Sequence, residues 1–287
     1  MLTRFLFPEL AISGAVVSLD VCWRELALGR GWSPVVLRLM GELSAVATLL
    51  AGQGKNAGRL TFQLKGDGSP DEKIARLVVD CQADETGALQ LRGMAKAQVP
   101  AGFAGDAAAL LTGGQLIMSL DLPEMKQPWQ SVIPTQGRTL SDIFSHYMQQ
   151  SAQREAAFFL AADARNAAGL WLQKMPEADA LDADGFARLA QLAATLKDVE
   201  LLTLPAETLL SRLFHEETCR VFAGQPVSFD RHEDWEKARG IVRSLGEAAA
   251  QQILDDEGEI TLFDELSNQR YRFSPEAVAA IFAAPLQ

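Results

Sequence analysis

The sequence predicts an α+β protein in three parts: an N-terminal sheet-and-helix domain over residues 1–176, a helical middle linker over 177–226 and a small C-terminal domain over 227–287. Three observations predict this class. Apolar and polar side chains alternate along several segments of the first part, which is the pattern of half-buried strands. From Asp179 this alternation stops, and the helix-forming residues Ala, Leu, Glu and Lys take over. Pro226 ends the helical stretch, and a mixed pattern of helices and a hairpin follows it.

The N-terminal domain opens on a segment predicted to be extended, residues 5–19, in which we interpret Gly14 as a break. A helix over 34–52 follows, because Ser33 suits the N-cap and Pro34 suits the first helical position. Another helix is predicted over 141–153, with Ser141 as its N-cap. The predicted strands of this domain are 58–65, 75–81, 88–97, 114–122, 157–161 and 169–175.

The linker is predicted to be helical, since apolar residues recur in it at three- and four-residue steps and a second short helix follows Pro205. In the C-terminal domain we predict a helix over 235–254, a hairpin over 260–273 and a last helix over 274–282. The apolar residues that recur in the first linker helix are Phe186, Leu189, Leu192, Ala193, Leu196 and Val199.

Composition restricts both the compartment and the partners of the chain. Lys and Arg number 26 against 37 Asp and Glu, so the net charge of −11 repels phosphate backbones and anionic lipid. We therefore expect neither nucleic acid nor a membrane as a partner. Cys22, Cys81 and Cys219 form no CxC or CxxC pair, which favours a reducing, cytoplasmic location. Pro8 and Glu9 interrupt the first apolar run before it could serve as a signal peptide.

No enzyme is predicted, since neither GxSxG nor HExxH occurs in the sequence. Three weaker features each allow two interpretations: a phosphate loop or a turn at 66–68, a metal-binding histidine or a helix end at 215, and a hard-metal site or a solvated acidic surface near 232. We favour the second interpretation in each case. The residues that a rival enzyme would use are Asp67, His215, Asp230, His232 and Glu233.

Six motifs occur in a fixed order along the chain. The longest is the run LLTLPAETLLSRLFHEE at 201–217, which closely resembles the linker signature of the thirty-three-kilodalton redox-regulated heat-shock chaperone family, HslO. The other five motifs follow the order of that family, and the resemblance covers essentially the whole chain. They are RFLF at 4–7, QLKGDG at 63–68, RGMA at 92–95, LQKMP at 172–176 and DEGEI at 256–260.

The resemblance implies an ATP-independent holdase with an α+β domain, a helical segment folded over it and a C-terminal redox domain. In that family a CxC pair and a later CxxC pair bind one zinc ion through four thiolates, and their oxidation expels the metal and exposes apolar surface. The corresponding positions in this chain are Arg231, Glu233, Asp264 and Ser267. A protonated guanidinium has no lone pair to offer, and Zn²⁺ prefers nitrogen and sulfur donors. We therefore expect no zinc cofactor and no disulfide switch.

The absence of zinc leaves two alternatives for the C-terminal domain, because structural zinc contributes on the order of 10 kcal/mol to the folding of a small domain. Either a replacement core holds the domain, aided by an ion pair between Arg231 and Asp264, and heat or another destabilising stress triggers activity, or the domain is marginally stable and the chaperone is constitutively active or poised to open. We favour the first alternative. The residues predicted to build that core are Trp235, Ile241, Leu245, Leu254, Leu262, Phe263, Tyr271, Phe273, Val278 and Ile281.

The leading hypothesis is a holdase that binds unfolded or partly folded client proteins through an apolar surface shared by the N-terminal domain and the linker. A specific protein-partner binding module on the same fold is the alternative. The sequence leaves open the client range, the activation trigger and the oligomeric state, including a homodimer. The residues predicted to contact clients, or to mask the surface, are Phe186, Leu189, Leu192, Leu196, Leu209, Leu213 and Phe214.

Overall fold

A computed structural model describes residues 1–54, 58–66, 73–100, 103, 105–106, 108–111, 114–135, 137, 139–151, 153–231 and 233–283. The chain divides into two compact units, residues 1–229 and residues 230–287. The segment predicted as a helical linker, 177–226, lies within the first unit and packs on one of its sheets.

The first unit combines strands and helices, as the predicted α+β class requires. Its strands are β1 (Leu2–Phe7), β2 (Ile12–Ser18), β3 (Arg59–Lys65), β4 (Ile74–Ala83), β5 (Leu89–Ala97), β6 (Gln115–Asp121), β7 (Trp129–Ile133), β8 (Ala156–Ala162), β9 (Ala167–Lys174), β10 (Arg220–Val221) and β11 (Val227–Phe229). Its helices are α1 (Asp20–Ala27), α2 (Pro34–Ala51), α3 (Leu140–Ser151), α4 (Ala178–Leu181), α5 (Gly185–Ala193), α6 (Asp198–Thr203) and α7 (Ala206–Leu213), with a 3-10 turn at Ala108–Leu111.

Two sheets enclose helix α2. The five-stranded sheet has the order β10-β1-β2-β9-β8 and is antiparallel throughout. The six-stranded sheet has the order β11-β5-β4-β3-β6-β7 and is antiparallel except where β11 pairs with β5. Helix α2 contacts strands of both sheets. It is long and apolar enough to cross a membrane, yet 67% of it is buried inside the fold, which is typical of a core helix.

The helix predicted from Pro34 is confirmed as α2. Ser33 has the extended backbone of an N-cap residue, with φ −64° and ψ 158°, and Gly52 follows the last turn. The six strands predicted for the N-terminal domain are confirmed as β3, β4, β5, β6, β8 and β9, with ends that shift by one or two residues.

The first segment of the chain differs from its prediction, because β1 and β2 form an antiparallel hairpin in which Phe5 lies opposite Gly14. The interpretation of Gly14 as a break is wrong, since the residue lies inside β2. A Cβ atom at this position would collide with the ring of Phe5 and with the carbonyl oxygen of Trp171. Glycine therefore makes room for the aromatic ring within a continuous strand.

The elements α1, β7, β10 and β11 were not predicted, and β10 lies within the segment predicted to be helical. The N-cap of α3 was also placed at the wrong residue. Thr139 caps α3, because its Oγ1 accepts a hydrogen bond from the Asp142 backbone N–H at 3.1 Å. The Asp142 carboxylate accepts one in return from the Thr139 N–H, also at 3.1 Å. This reciprocal pair replaces the predicted cap at Ser141.

The second unit contains three helices and a hairpin within its described residues. The predicted hairpin and last helix are confirmed, and the Ser274 hydroxyl accepts a hydrogen bond from the Ala277 N–H at 3.3 Å. The single helix predicted over 235–254 is wrong, since Gly246 has φ +82° and separates two helices. The elements are α8 (Trp235–Leu245), α9 (Glu247–Glu257), β12 (Ile260–Asp264), β13 (Gln269–Phe273) and α10 (Pro275–Ala283).

The core of the second unit contains half of the residues predicted for it. Leu254, Tyr271, Phe273, Val278 and Ile281 are buried, and Leu262 packs against them. The change of direction at Gly246 gives the remaining core positions to smaller or unpredicted residues, namely Ala238, Val242, Ala250 and Ile260. The predicted core residues that are instead exposed are Trp235, Ile241, Leu245 and Phe263.

Candidate functional site

The five-stranded sheet has two apolar faces that belong to different cores. One face packs with α2 in the main core of the unit. The other face, which we call the outer face, packs with the linker helices in a second, separate cluster. The side chains of the outer face include Phe5, Phe7, Ile12, Val16, Leu170 and Leu172.

All seven residues predicted as the client-contact or masking surface lie in the cluster on the outer face. Four of them are buried and three are partly buried against the cluster. Leu201 and Leu210 belong to the same cluster and were not predicted, although the leucine-rich run at 201–213 contains both. The buried members are Phe186, Leu189, Leu209 and Phe214, and the partly buried ones are Leu192, Leu196 and Leu213.

The periodic stripe of the first linker helix ends earlier than its spacing indicates. Helix α5 stops at Ala193, and α6 starts at Asp198 after a turn. Val199 is consequently 61% exposed, although it was counted in the stripe. The turn at residues 194–195 interrupts the helix, so the three- and four-residue spacing of α5 does not continue to Val199.

Three aromatic rings join the linker to the sheet. The Phe214 ring lies 5.1 Å from the Phe7 ring at an interplanar angle of 79°, and 6.5 Å from the Phe5 ring. Phe5 and Phe7 contact each other edge to face at 5.5 Å. Such pairs add about 0.5–1.5 kcal/mol to the area that they bury. Phe214 is 2% exposed and therefore anchors the end of α7 on the outer face.

Polar contacts between the linker and the rest of the first unit are of several kinds. Arg38 of α2 lies 3.7 Å from the Asp198 carboxylate, and Lys174 of β9 lies 2.5 Å from the Asp179 carboxylate. The Asn166 side-chain amide donates a hydrogen bond of 2.7 Å to the Leu202 carbonyl. Near the end of the linker, β10 pairs with β1 through backbone hydrogen bonds. Surface ion pairs contribute about 0–1 kcal/mol each, so burial of apolar side chains contributes more than these pairs to holding the linker helices on the outer face.

A buried carboxylate lies where the linker meets α2. Glu42 accepts a hydrogen bond of 2.7 Å from the Arg38 Nε and borders a cavity of about 540 Å³ that residues of the linker also line. Burial raises the pKa of Glu42 above its ordinary value near 4.5, and the hydrogen bond from Arg38 opposes this rise. Ionisation of Glu42 therefore disfavours the folded state, in which this carboxyl is buried.

We expect a Glu42→Gln variant to be more stable than the parent protein at neutral pH. A carboxyl whose pKa is raised by folding contributes stability below its unfolded pKa and loses that contribution as pH rises through the folded pKa. The advantage of the variant should therefore vanish below about pH 4.5. Urea unfolding from pH 4 to 8 measures it, with Glu216→Gln as the exposed control. A constant difference across this range would contradict the assignment.

The three cysteines are poorly placed for redox chemistry. Cys22 and Cys81 are buried, and Cys219 is partly buried. Burial raises the pKa of the Cys22 thiol to about 12 and raises the pKa values of the Cys81 and Cys219 thiols as well. Because the thiolate is the reactive form, all three thiols are slow to react with peroxide near neutral pH.

The four positions that the resemblance aligns with zinc ligands carry side chains engaged in other contacts or unsuited to the metal. The Glu233 carboxylate accepts a hydrogen bond of 2.8 Å from the Trp235 indole, and the Asp264 carboxylate accepts one of 2.9 Å from the Leu266 N–H. Ser267 is buried, and Arg231 offers no lone pair. Among the residues that the structure describes, no group of three or more His, Cys, Asp or Glu side chains could hold a metal ion.

An aromatic cluster lies beside these four positions. The Trp235 ring packs edge to face on Tyr271 at 4.9 Å and on Phe273 at 5.7 Å. The Tyr271 hydroxyl accepts a hydrogen bond of 2.9 Å from the Asp234 N–H, and the Asp234 carboxylate caps α8 by accepting one from the Lys237 N–H. Hairpin and helix are therefore joined by side chains.

The structure describes three of the five residues that a rival enzyme would use, namely His215, Asp230 and Glu233. The side chain of His215 is 70% exposed, and its nearest acidic partner is Glu216 at 3.8 Å. Asp67 and His232 lie outside the described residues, so their predicted roles cannot be placed.

An apolar sheet face covered by a helical segment is compatible with a chaperone, a class of protein that acts through apolar surface. Residues 1–274 match the sequence model of the family described as Hsp33 protein. The chain belongs to the Hsp33 family. The predicted resemblance is thereby confirmed, and a chaperone function with it.

Characterised relatives match over nearly the whole chain. The 33 kDa chaperonin of Methylobacillus flagellatus is 32% identical over 99% of this chain and 95% of its own length. The 33 kDa chaperonin of Pseudomonas paraeruginosa is 35% identical over 98% of this chain and 93% of its own. The crystal structure of the Hsp33 homologue of Thermotoga maritima has a TM-score of 0.77 at 18% identity and covers 98% of this chain and 97% of its own. This structural likeness confirms the fold.

Proposed function

We propose that this protein is an ATP-independent holdase that binds unfolding proteins through the outer face of the five-stranded sheet and the apolar side of the linker helices. The observation that carries the proposal is that all seven predicted residues pack into one cluster on that face. In this proposal the partners are unfolded or partly folded cytoplasmic proteins, without nucleic acid, membrane or enzymatic activity.

Separation of the two cores supports the proposed mechanism. The linker helices cover the outer face, whereas α2 and the six-stranded sheet hold the opposite face. Detachment of the linker exposes one apolar cluster while the other stays packed, so the sheet domain remains folded when it binds a client. The net charge of −11 keeps the loaded complex in solution.

We further propose that the family's redox switch is lost and that the protein works without zinc. The side chains at the four ligand positions support this view, as do the buried thiols. The aromatic cluster around Trp235 supports the replacement of the metal by packing. In this proposal heat is the trigger, because the linker helices are held on the outer face by apolar packing, which thermal opening of that segment can release.

Suppression of the thermal aggregation of an unrelated client tests this proposal. We expect protection by the heated protein, no gain after peroxide treatment, and no loss after a zinc chelator, with less than one zinc ion per ten chains by elemental analysis. A zinc-containing relative from the same family is the control, and peroxide should activate it. Failure to protect the client in every preparation would favour the partner-binding module. Activation by peroxide would instead show that this protein has a redox switch.

A further inference from the structure

The edge of the six-stranded sheet at β5 is occupied by a short piece of the chain itself. Strand β11 contains only three residues and pairs in parallel with β5, where Val227 lies opposite Leu89 and Phe229 opposite Leu91. The Leu89 N–H donates a hydrogen bond of 2.9 Å to the Pro226 carbonyl, and the Ser228 hydroxyl donates one of 2.9 Å to the Gln90 side chain. All other strand pairs of the two sheets are antiparallel.

Beyond the end of β11, side chains form the hydrogen bonds with this edge of β5. The Arg30 guanidinium donates a hydrogen bond of 3.0 Å to the Gly93 carbonyl, and the Trp32 indole donates one of 3.1 Å to the Ala95 carbonyl. Residues two apart on a strand point their backbone groups to the same side. Leu89, Gly93 and Ala95 therefore present polar backbone atoms along one edge of β5. Strand β11 forms hydrogen bonds with this edge near Leu89, and the side chains of Arg30 and Trp32 do so at Gly93 and Ala95.

The segment that occupies the edge alternates in polarity. Val227 and Phe229 pack against the main core, and Phe229 is 7% exposed, whereas Ser228 between them is exposed. An extended peptide with apolar side chains two positions apart satisfies the same backbone groups and fills the same apolar sites. Such segments occur in most unfolded proteins, because every half-buried strand has this pattern.

We propose that the edge of β5 is a strand-binding site, that β11 is its resident occupant, and that an extended client segment with apolar residues two positions apart replaces β11 by parallel pairing. This inference rests on the proposed holdase function and adds a second contact to the outer face. The short length of β11 supports replacement, since three paired residues give few hydrogen bonds to exchange. Phe229 is also the last residue of the first unit, so β11 lies at the end of that unit's chain.

A labelled peptide with the sequence of residues 225–231, QPVSFDR, tests the site by fluorescence anisotropy on full-length protein. We expect it to bind a Phe229→Ala variant at least tenfold more tightly than the parent protein, because the resident strand has lost its aromatic anchor. The control variant Phe222→Ala, which removes an exposed ring from the same segment, should bind it like the parent. The same peptide with proline in place of its serine should not bind, because proline lacks the N–H that a ladder requires.

A second variant and a competition experiment complete the test. Ser228→Pro weakens the pairing of β11 but keeps the core aromatic, so it carries the test if Phe229→Ala fails to fold. The unlabelled peptide should weaken the binding of an unfolded, carboxymethylated client to either variant, because the client then keeps only its contact with the outer face. Absence of peptide binding to both folded variants would overturn the inference, as would a client whose affinity is unchanged while the peptide saturates the edge. Loss of aggregation suppression by the parent protein would overturn the holdase proposal alone, since peptide binding is measured without a client.

Discussion

A Phe214→Ala variant is expected to suppress client aggregation without prior heating. Phe214 is almost fully buried between Phe5 and Phe7, and its removal takes away the ring that anchors the linker on the outer face. Truncation of a buried phenylalanine destabilises its packing by about 3–5 kcal/mol. A loss of this size shifts the closed linker toward the open state by a factor of about 10² or more. Binding of a hydrophobic dye at 25 °C should rise in parallel.

The matched control for this experiment is Phe222→Ala. Phe222 follows β10 a few residues after α7, is 38% exposed and contacts Arg220 rather than the outer face. Its removal should change dye binding and client protection by less than twofold. A Phe214→Ala protein that stays closed and inactive until heated would show that the linker is held by contacts other than this ring.

A Phe273→Ala variant is expected to unfold the second unit while the first stays folded. Phe273 is 2% exposed and lies in the core of a unit of only about sixty residues, which has little stability to spare. A loss of about 3–5 kcal/mol equals or exceeds what such a core provides. Limited trypsin digestion should then cleave at Arg239, Arg243 and Arg270, and mass spectrometry should recover the first unit intact.

The same hairpin offers the control, because Phe263→Ala removes a ring that is 48% exposed and lies near Arg270. This variant should resist trypsin like the parent protein. Addition of zinc should not restore resistance to Phe273→Ala, since the ligand positions do not fit the metal. Rescue by zinc would mean that a metal site forms from these residues after all.

The sequence contains enough local information to predict the fold class and most elements of the first unit. Helix α2 has Ser33 and Pro34 at its start and Gly52 at its end, so its limits follow from capping preferences. Strand β3 could be predicted because buried apolar residues alternate along it with partly exposed polar ones. The packing of the seven predicted residues against the sheet could be predicted because a helix that covers a sheet has an apolar stripe.

The contacts on which the two proposals rest could not be predicted, because they join positions that are distant in sequence. Nothing in the local pattern brings Phe214 next to Phe5, or places β11 in parallel on β5. The core of the second unit was partly mispredicted for a related reason. A single glycine at 246, with its positive φ, turns the chain and points Ile241 and Leu245 outward.

Strand β9 shows how two sets of selective constraints share one stretch of sequence. Its Leu170 and Leu172 face the linker, whereas Trp171 between them faces α2. Substitutions at alternate positions therefore alter the cluster under the linker or the core around α2, but not both. The second unit has a core of its own as well. Mutations can thus accumulate in one of these three cores while the other two keep their packing.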